Sequence, residues 1–276
     1  MDLGDDQIER YARHLVLKEV GGVGQQRLLA SKVLVVGAGG LGSPLLLYLA
    51  AAGVGTLGIV DHDVVSLSNL QRQVVHTTGR VGTLKTASAT AMLAAINPDV
   101  RVIEHPFRLE AGNALELIGG YDLVADGSDN FATRFLLNDA CYFARKPLVS
   151  AAIQRFDGQM ATFRAYQAGD GFPCYRCLFG SPPPEAFDQS CSRDGVLGAL
   201  AGVMGSLQAV EVIKELLGIG ESQAGRLLLY DALEASFRTI TVRRDPGCAL
   251  CGAAPAITSL RSPAERAPLP AHETEA

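Results

Sequence analysis

The 276-residue chain is 48% hydrophobic and 19% charged, so it can bury a substantial core and is not expected to be disordered overall. Its net charge of −5 and its pI of about 5.6 argue against a nucleic-acid-binding protein, which usually carries a basic surface. No apolar stretch approaches the roughly 20 residues of a membrane span, and the acidic first residues do not resemble a secretory signal. We therefore expect a cytoplasmic protein with no membrane or nucleic-acid partner and with 6 reduced cysteines.

Predicted strands and helices alternate along the first half of the chain. In order, they are a helix over 7–17 ended by glycines at 21–24, a strand over 32–36, a helix to about 51, a strand over 56–60, a helix over 83–96, a strand over 100–104, a helix over 111–118, a strand over 122–125, a helix over 130–144 and a strand over 147–150. This alternation predicts an α/β fold with a Rossmann-like, mostly parallel sheet and helices on both faces.

The pattern changes after residue 151. We predict a β segment over 158–166, a loop over 172–194, an apolar helix over 197–217, a C-terminal pair of antiparallel strands over 227–230 and 236–242, and a disordered tail from 253.

A glycine-rich loop joins the first predicted strand to its helix. Gly37, Gly39, Gly40 and Gly42 fit the G-x-G-x-x-G pattern, in which backbone N–H groups approach a phosphate at a helix N-terminus. Asp61 ends the next strand, where its carboxylate can accept hydrogen bonds from both ribose hydroxyls. These residues predict an adenine-nucleotide site. They do not separate ATP from NAD, so an NAD-dependent oxidoreductase remains an alternative.

Polar residues at further strand ends favour ATP. Arg72 and Lys85 can neutralise a triphosphate, and Asp129 can hold Mg²⁺ through its carboxylate. Because ligands of such sheets bind at the carboxyl ends of the strands, these groups should converge near the glycine loop. The sequence therefore predicts nucleotidyl transfer onto a carboxylate, a nucleophile that is already ionised and needs no general base.

The cysteines form two C-x-x-C pairs, Cys174 with Cys177 and Cys248 with Cys251. Four thiolates suit a tetrahedral structural zinc ion, although the gap between the pairs is long for a zinc ribbon. Two redox pairs are the alternative, but neither pair is predicted at a helix start after a strand. Cys191 lies before a predicted helix and close to Arg193, which makes it a candidate nucleophile.

Several motifs together resemble those of the ThiF/MoeB/HesA adenylyltransferases, bacterial relatives of the ubiquitin-activating enzymes. They are Arg10-Tyr11-x-Arg13, GAGGLGS from Gly37, DxDxVSLSNLQRQ from Asp61, the helix that begins near Lys85, SDN from Ser128 and PCYRCLF from Pro173. The resemblance covers residues 6–252, nearly the whole chain.

The resemblance implies a definite reaction. Such enzymes bind ATP and Mg²⁺ and adenylate the Gly-Gly tail of a ubiquitin-like sulfur-carrier protein, releasing pyrophosphate before the carrier becomes a thiocarboxylate. It also implies a separate sulfur-donor protein and a homodimer, in which Arg13 reaches the phosphates of the other subunit's site. The pathway, molybdopterin or thiamin synthesis among others, stays open. So do adenylation of a different carboxylate and a role as an inactive partner subunit.

Matching positions carry the family's residue roles to this chain. The resemblance implies zinc at the four paired cysteines, and it leaves open whether Cys191 becomes covalently linked to the carrier. The implied nucleotide or metal contacts are Gly40, Asp61, Asn69, Arg72, Lys85, Asp129 and Asn130, and the predicted site also includes Asp63, Ser68, Leu70 and Gln71. We divide the chain into an N-terminal helical segment (1–30), a nucleotide-binding region (31–151), a carrier-binding and zinc-bound region (152–252) and a disordered tail (253–276).

Overall fold

The computed structural model of the protein describes residues 3–167, 171–182 and 195–260. The helices of this part are α1 (Asp5–Arg10), α2 (Ala12–Leu15), α3 (Gly21–Ala30), α4 (Gly42–Ala51), α5 (Lys85–Ile96), α6 (Ala111–Gly119), α7 (Phe131–Ala144), α8 (Tyr175–Phe179) and α9 (Gly198–Leu217), with 3₁₀ turns at Leu67–Asn69 and Thr78–Arg80. Among the described residues, we find no helix whose length and apolar character would suit a transmembrane span.

Eight strands in the described ranges form one sheet with the order β3-β2-β1-β4-β5-β6-β7-β8. The strands are β1 (Lys32–Val36), β2 (Thr56–Val60), β3 (Arg101–His105), β4 (Leu123–Asp126), β5 (Leu148–Gln154), β6 (Asp157–Phe163), β7 (Arg226–Asp231) and β8 (Ser236–Thr241). The pairs from β3 to β5 are parallel and those from β5 to β8 antiparallel. This confirms the predicted mostly parallel sheet with a C-terminal antiparallel part.

The central strands are covered on both faces, which explains their continuous aliphatic sequences. In β1, Val33 and Val35 belong to one core cluster, and Leu34 and Val36 belong to another on the opposite face. The first cluster is completed by α3, α4, α5 and α9, and the second by α6 and α7. These six helices therefore pack apolar side chains against the two faces of the sheet and leave its strand ends free for ligands.

The strand order creates a crevice between β1 and β4. The chain leaves β1 toward β2 and β3 on one side, and then returns to place β4 on the other side of β1. At such a switch point the loops after the two strands diverge and open a ligand site. Gly37 follows β1 and Gly127 follows β4, and the Gly127 backbone N–H donates to the Val36 carbonyl at 2.9 Å. The fold thus positions the glycine loop at the crevice.

Two N-terminal predictions were wrong in detail. The helix predicted over 7–17 is divided at Tyr11, whose buried ring packs beside Gly53. The glycines at 21–24 do not merely end a helix, because α3 begins at Gly21. Tertiary packing overrides their low helix propensity: Leu28 of α3 is fully buried.

The second half of the chain differs from prediction at two places. The predicted loop over 172–194 contains α8, a helix too short to show periodicity, whose Tyr175 packs edge-on against Phe135 at a ring distance of 5.0 Å. Strand β5 extends to Gln154 and forms a hairpin with β6, so the boundary that we drew at residue 151 falls inside a strand. The predicted disordered tail is described only to residue 260, and residues 253–260 form no helix or strand.

Candidate active site

The four glycines of the loop after β1 have different surroundings. Gly37 has a φ of 94°, in the left-handed region that favours glycine, and a Cβ on Gly42 would collide with the Gly37 carbonyl oxygen. Gly39 and Gly40 also line the crevice, and a Cβ on them would lie 3.7 Å from the Gln73 side chain and 3.6 Å from the Arg72 side chain, respectively. Gly37 and Gly42 therefore make the tight turn possible, whereas Gly39 and Gly40 present backbone near the N-terminus of α4, where a phosphate is favoured.

Asp61 is bound to the glycine loop directly. Its Oδ2 accepts a hydrogen bond from the Ala38 backbone N–H at 2.9 Å, and its Oδ1 accepts one from the Asp63 N–H at 2.9 Å. A carboxylate oxygen has two lone pairs, so both oxygens can still accept hydroxyl groups. Asp61 is thus fixed against the glycine loop and keeps the capacity to accept further hydrogen bonds.

Lys85 is the first residue of α5 and is 6% exposed. Its Nζ donates to Asp63 Oδ2 at 2.8 Å. Partial burial opposes ionisation of Asp63, but the hydrogen bond and the charge of Lys85 outweigh that effect and lower the pKa of the Asp63 carboxyl. At neutral pH the two residues form an ion pair, which holds the ammonium group at the wall of the crevice.

Arg72 extends over the glycine loop from the segment after the first 3₁₀ turn. Its Cγ lies 3.6 Å from the position that a Cβ on Gly40 would occupy, and its Nη1 donates to the Ser68 carbonyl at 3.2 Å. Asn69 Oδ1 accepts from the Ser66 N–H at 3.3 Å. The turn therefore orients Arg72, while Ser68 and Asn69 stabilise the turn itself.

The loop after β4 contains one buried and one exposed carboxylate. Asp126 is fully buried and accepts hydrogen bonds from the Ser128 backbone, the Ser128 hydroxyl and the Ser150 hydroxyl. Asp129 is exposed and, within the described residues, makes no hydrogen bond or ion pair. Asn130 Oδ1 accepts from the Thr133 N–H at 2.8 Å, which caps α7. Asp126 thus fixes the loop, and Asp129 is available to a cation.

A cavity of about 1520 Å³ joins these groups. It runs from the glycine loop to the antiparallel strands β6, β7 and β8, where Gln159, Leu229 and Arg238 are among its lining residues. Of the residues predicted for the nucleotide site, those that line it are Gly37, Gly39, Gly40, Asp61, Asp63, Gln71, Arg72, Lys85, Asp129 and Asn130. The structure thus brings most of the predicted site together, whereas four predicted residues do not line the cavity: Gly42, Ser68, Asn69 and Leu70.

The two cysteine pairs meet at one point. The Sγ atom of Cys174 lies 3.5 Å from those of Cys248 and Cys251, and the Sγ atom of Cys177 lies 3.4 Å from that of Cys251. The Asp245 backbone N–H also points at the Cys177 sulfur, at 3.4 Å. Cys174 occupies the N-cap position of α8, a helix that the sequence did not predict. The convergence of all four thiols nevertheless favours a metal site over two separate redox pairs.

A family model described as the ThiF family matches residues 11–250, which is most of the chain. The chain belongs to the ThiF family. A sulfur carrier protein adenylyltransferase of Thermus thermophilus is 55% identical over 251 residues, covering 91% of this chain and 93% of the relative. The adenylyltransferase and sulfurtransferase MOCS3 of Bos taurus is 52% identical over 260 residues, covering 94% of this chain but 56% of the bovine protein.

A solved structure supports the ThiF-type fold independently. E. coli MccB, crystallised with ATP, superimposes with a TM-score of 0.76 at 23% identity, covering 88% of this chain and 73% of that one. At this identity the likeness concerns the fold alone. The names of the two sequence relatives favour nucleotidyl transfer over the NAD-dependent alternative.

One predicted residue of this ThiF-family chain, Arg13, lies apart from the cavity, and a second cannot be placed. Arg13 is exposed on α2 and does not line the cavity of its own chain. Cys191 lies outside the described residues. Both roles therefore stay predictions.

Sequence reasoning missed three parts of the site. The loop after β3, including Phe107, Arg108 and Leu109, lines the cavity, and its position at the carboxyl end of a strand could have revealed it. Gln73 also lines the cavity, and its Oε1 is buried without a hydrogen-bond partner. His76 lies beneath the glycine loop. Gln73 is the last residue of the DxDxVSLSNLQRQ motif, but the motif assigned it no role, and no periodicity or motif distinguished His76.

Proposed function

We propose that this chain uses ATP to adenylate the C-terminal Gly-Gly carboxylate of a ubiquitin-like sulfur-carrier protein, giving the carrier acyl-adenylate and pyrophosphate. The observation that carries the proposal is that one cavity contains both the phosphate-facing groups and an extension along the antiparallel strands. The 55% identical relative, matched over 93% of its length, supports the same reaction.

The arrangement suits attack by an ionised carboxylate. A carboxylate oxygen of the carrier forms a bond to the α-phosphorus of ATP, and the bond from that phosphorus to the pyrophosphate oxygen breaks. Negative charge grows on the phosphate oxygens, where the cations of Arg72 and Lys85 stabilise it. The ion pair with Asp63 fixes Lys85 in advance, so little reorganisation is needed during the reaction.

We infer that Asp129 holds Mg²⁺ against the triphosphate. Mg²⁺ is usually bound through one or two carboxylates together with substrate phosphates, and Asp129 offers a carboxylate with no hydrogen-bond or ion-pair partner among the described residues. The ion would neutralise phosphate charge. The buried hydrogen bonds of Asp126 keep the loop that carries Asp129 in place.

We infer that the carrier tail occupies the end of the cavity near β6 and β7. Gly158 and Gln159 of β6 and Val196 line this end. An extended tail ending in two glycines is thin enough to reach the α-phosphate from there, because it has no side chains at its last two positions.

We infer that the four-cysteine cluster binds zinc. Tetrahedral coordination with Zn–S bonds of about 2.3 Å places sulfur atoms roughly 3.8 Å apart. Four of the six sulfur–sulfur separations in the cluster lie between 3.4 and 3.9 Å. None of the four cysteines lines the large cavity, so the ion would have a structural role.

We also infer a homodimer in which Arg13 of each copy completes the other copy's site. Two observations support this inference. Arg13 does not line the cavity of its own chain. Apolar side chains in the same N-terminal segment are exposed, Val16 to 76% and Val23 to 68%. A separate protein would donate the sulfur that converts the adenylate to a thiocarboxylate.

The direct test is ATP–pyrophosphate exchange with purified protein, Mg²⁺ and candidate carriers that end in Gly-Gly. We expect exchange with one carrier, molybdopterin-synthase type or thiamin type, and none when its two terminal glycines are deleted. Exchange with neither carrier, in protein that binds ATP tightly, would reject the proposal.

A further inference from the structure

The chain turns inward after Arg72 and buries His76 beneath the glycine loop. The side chain is 5% exposed and does not line the cavity. It therefore touches no bound nucleotide, and any influence on the site must pass through the groups that it contacts.

Both ring nitrogens of His76 have a partner. Nε2 lies 2.9 Å from the Ala38 carbonyl oxygen, and Nδ1 lies 2.9 Å from the Ser88 hydroxyl oxygen. A carbonyl oxygen only accepts, so Nε2 must carry the proton, and in the neutral ring Nδ1 accepts from the hydroxyl of Ser88. The surroundings thus select one tautomer.

The two partners belong to different parts of the nucleotide site. Ala38 lies in the glycine loop, and its N–H donates to Asp61, so both polar groups of its backbone are occupied. Ser88 lies on α5, about one turn after Lys85. His76 thus joins the loop that would cradle phosphate to the helix that presents the ammonium group.

We propose that His76 is a positioning residue for nucleotide binding, which fixes the Ala38 peptide of the glycine loop relative to Asp61 and to the Lys85 helix. This inference rests on the proposed function, since it concerns the same site. The imidazole ring is rigid, and its two hydrogen bonds point in different directions. It can therefore fix the distance between the glycine loop and α5, which a single hydrogen bond would not do.

The charge state agrees with this role. Burial lowers the pKa of the His76 imidazole, and the cations Lys85 and Arg80 act in the same direction, against the Ala38 carbonyl and Asp61. A neutral ring at physiological pH leaves Nδ1 able to accept from the Ser88 hydroxyl, while Nε2 keeps the proton that it donates to Ala38.

Two amide substitutions test the two hydrogen bonds of His76 one at a time. The nitrogen of Gln in His76→Gln falls near the Nε2 position and can still donate to Ala38, whereas the shorter amide in His76→Asn falls near Nδ1 and can contact only Ser88. We expect His76→Gln to keep the Kd for ATP·Mg²⁺, measured by calorimetry without a carrier, within about threefold of the wild type. His76→Asn should raise it about tenfold or more.

A second measurement separates positioning from general stability. Thermal unfolding should show similar losses for the two variants, since each loses one hydrogen bond, so a difference in ATP affinity reports the Ala38 contact. His105→Gln is the control: this half-buried histidine bonds the Tyr121 hydroxyl at 2.8 Å and should leave ATP affinity unchanged. Hydrogen exchange of the amides from Gly37 to Gly40 should be faster in His76→Asn than in His76→Gln.

Equal ATP affinity in the wild type and His76→Asn would overturn the inference, and so would equal losses in the two variants. If the wild type binds ATP but supports no pyrophosphate exchange with any carrier, the proposed function fails. The ranking of the variants in ATP affinity would still decide whether His76 positions the loop.

Discussion

At the scale of single residues, the site depends on charges that are held by neighbours before any ligand arrives. Lys85 is bound by Asp63, Asp61 by the glycine loop, and Arg72 by the turn behind it. Such preorganisation lets a few cations stabilise phosphate charge at little cost in reorganisation.

Removing the Lys85 ammonium should therefore affect the reaction much more than the fold. For Lys85→Met we expect pyrophosphate exchange to fall about 100-fold or more, because a fixed cation at the developing charge is lost. Lys32→Met, an exposed lysine at the opposite end of β1, is the matched control and should exchange at the wild-type rate. A Lys85→Met protein with near-normal exchange would exclude Lys85 from the chemistry.

The Asp63–Lys85 pair also makes a prediction about pH. The pKa of Asp63 in the folded protein is lower than its ordinary value of 3.8, so its charge stabilises the fold above that value and the gain is lost as pH falls through the folded pKa. The Asp63 side chain is 55% exposed, so solvent screening limits the contribution to under about 1 kcal/mol.

We expect the Tm of the wild type to exceed that of Asp63→Asn at pH 7. The difference should shrink as pH falls below 3.8 and vanish below the lower pKa that Asp63 has in the folded protein. Asp99→Asn removes an exposed carboxylate that has no ion pair in the described part of the chain, so it should show no such trend. A difference in Tm that is constant with pH would contradict the prediction.

At the scale of elements, α9 determines how closely the two halves of the chain approach. Gly205 lies against α4, where a Cβ would collide with the Leu41 carbonyl oxygen and with Pro44. Gly202, three residues earlier on α9, has nothing within 4 Å of the same position. The helix thus offers a close contact and an open control site one turn apart.

Substituting these two glycines should have opposite effects. Gly205→Ala should lower the free energy of unfolding by about 1–3 kcal/mol through overpacking. Gly202→Ala should raise it by about 0.5–1 kcal/mol, because alanine has the higher helix propensity. Urea unfolding of both variants provides the measurement, and equal behaviour would mean that α9 and α4 do not pack as described.

The cysteine cluster links α8 to the segment after β8, two elements far apart in the chain. We expect mass spectrometry of metals to find one zinc ion per chain. The variant Cys248→Ser should lose this ion, and its Tm should fall by several degrees, because metal binding is linked to folding. Cys141→Ala removes a buried thiol outside the cluster and should keep its zinc. Metal-free protein with an unchanged Tm would reject the role of the cluster in stability.

These elements also show what sequence alone could predict. Strands such as Lys32–Val36 were recognisable because strong aliphatic patterns and buried positions coincide, and the site residues followed from the rule that ligands meet strand ends. Helices α3 and α8 were not recognisable from the sequence, because contacts with residues distant in sequence stabilise them. The ring of Tyr175 in α8, for example, packs against the ring of Phe135. His76 was missed for the same reason: its partners lie 38 and 12 residues away.

At the scale of the whole molecule, the inferred homodimer can be tested by complementation. Arg13→Ala and Lys85→Met should each be inactive alone. If Arg13 acts on the other copy's site, a mixed dimer regains one complete site, and random pairing should restore about a quarter of wild-type exchange. If Arg13 serves its own chain, mixing the two variants would restore nothing.

The strand β5 pairs in parallel with β4 over Leu148–Ser150 and antiparallel with β6 along its whole length. The parallel and antiparallel parts of the sheet therefore share β5, whose first three residues pair with both neighbours. For anyone building chimeras from two relatives, a crossover at residue 151 would join half of a strand from one parent to half from the other. Crossovers in the flanking loops, before Leu148 or between Gln154 and Asp157, would transfer β5 whole. We therefore expect chimeras with these crossovers to keep the pairing of β5 with both of its neighbours.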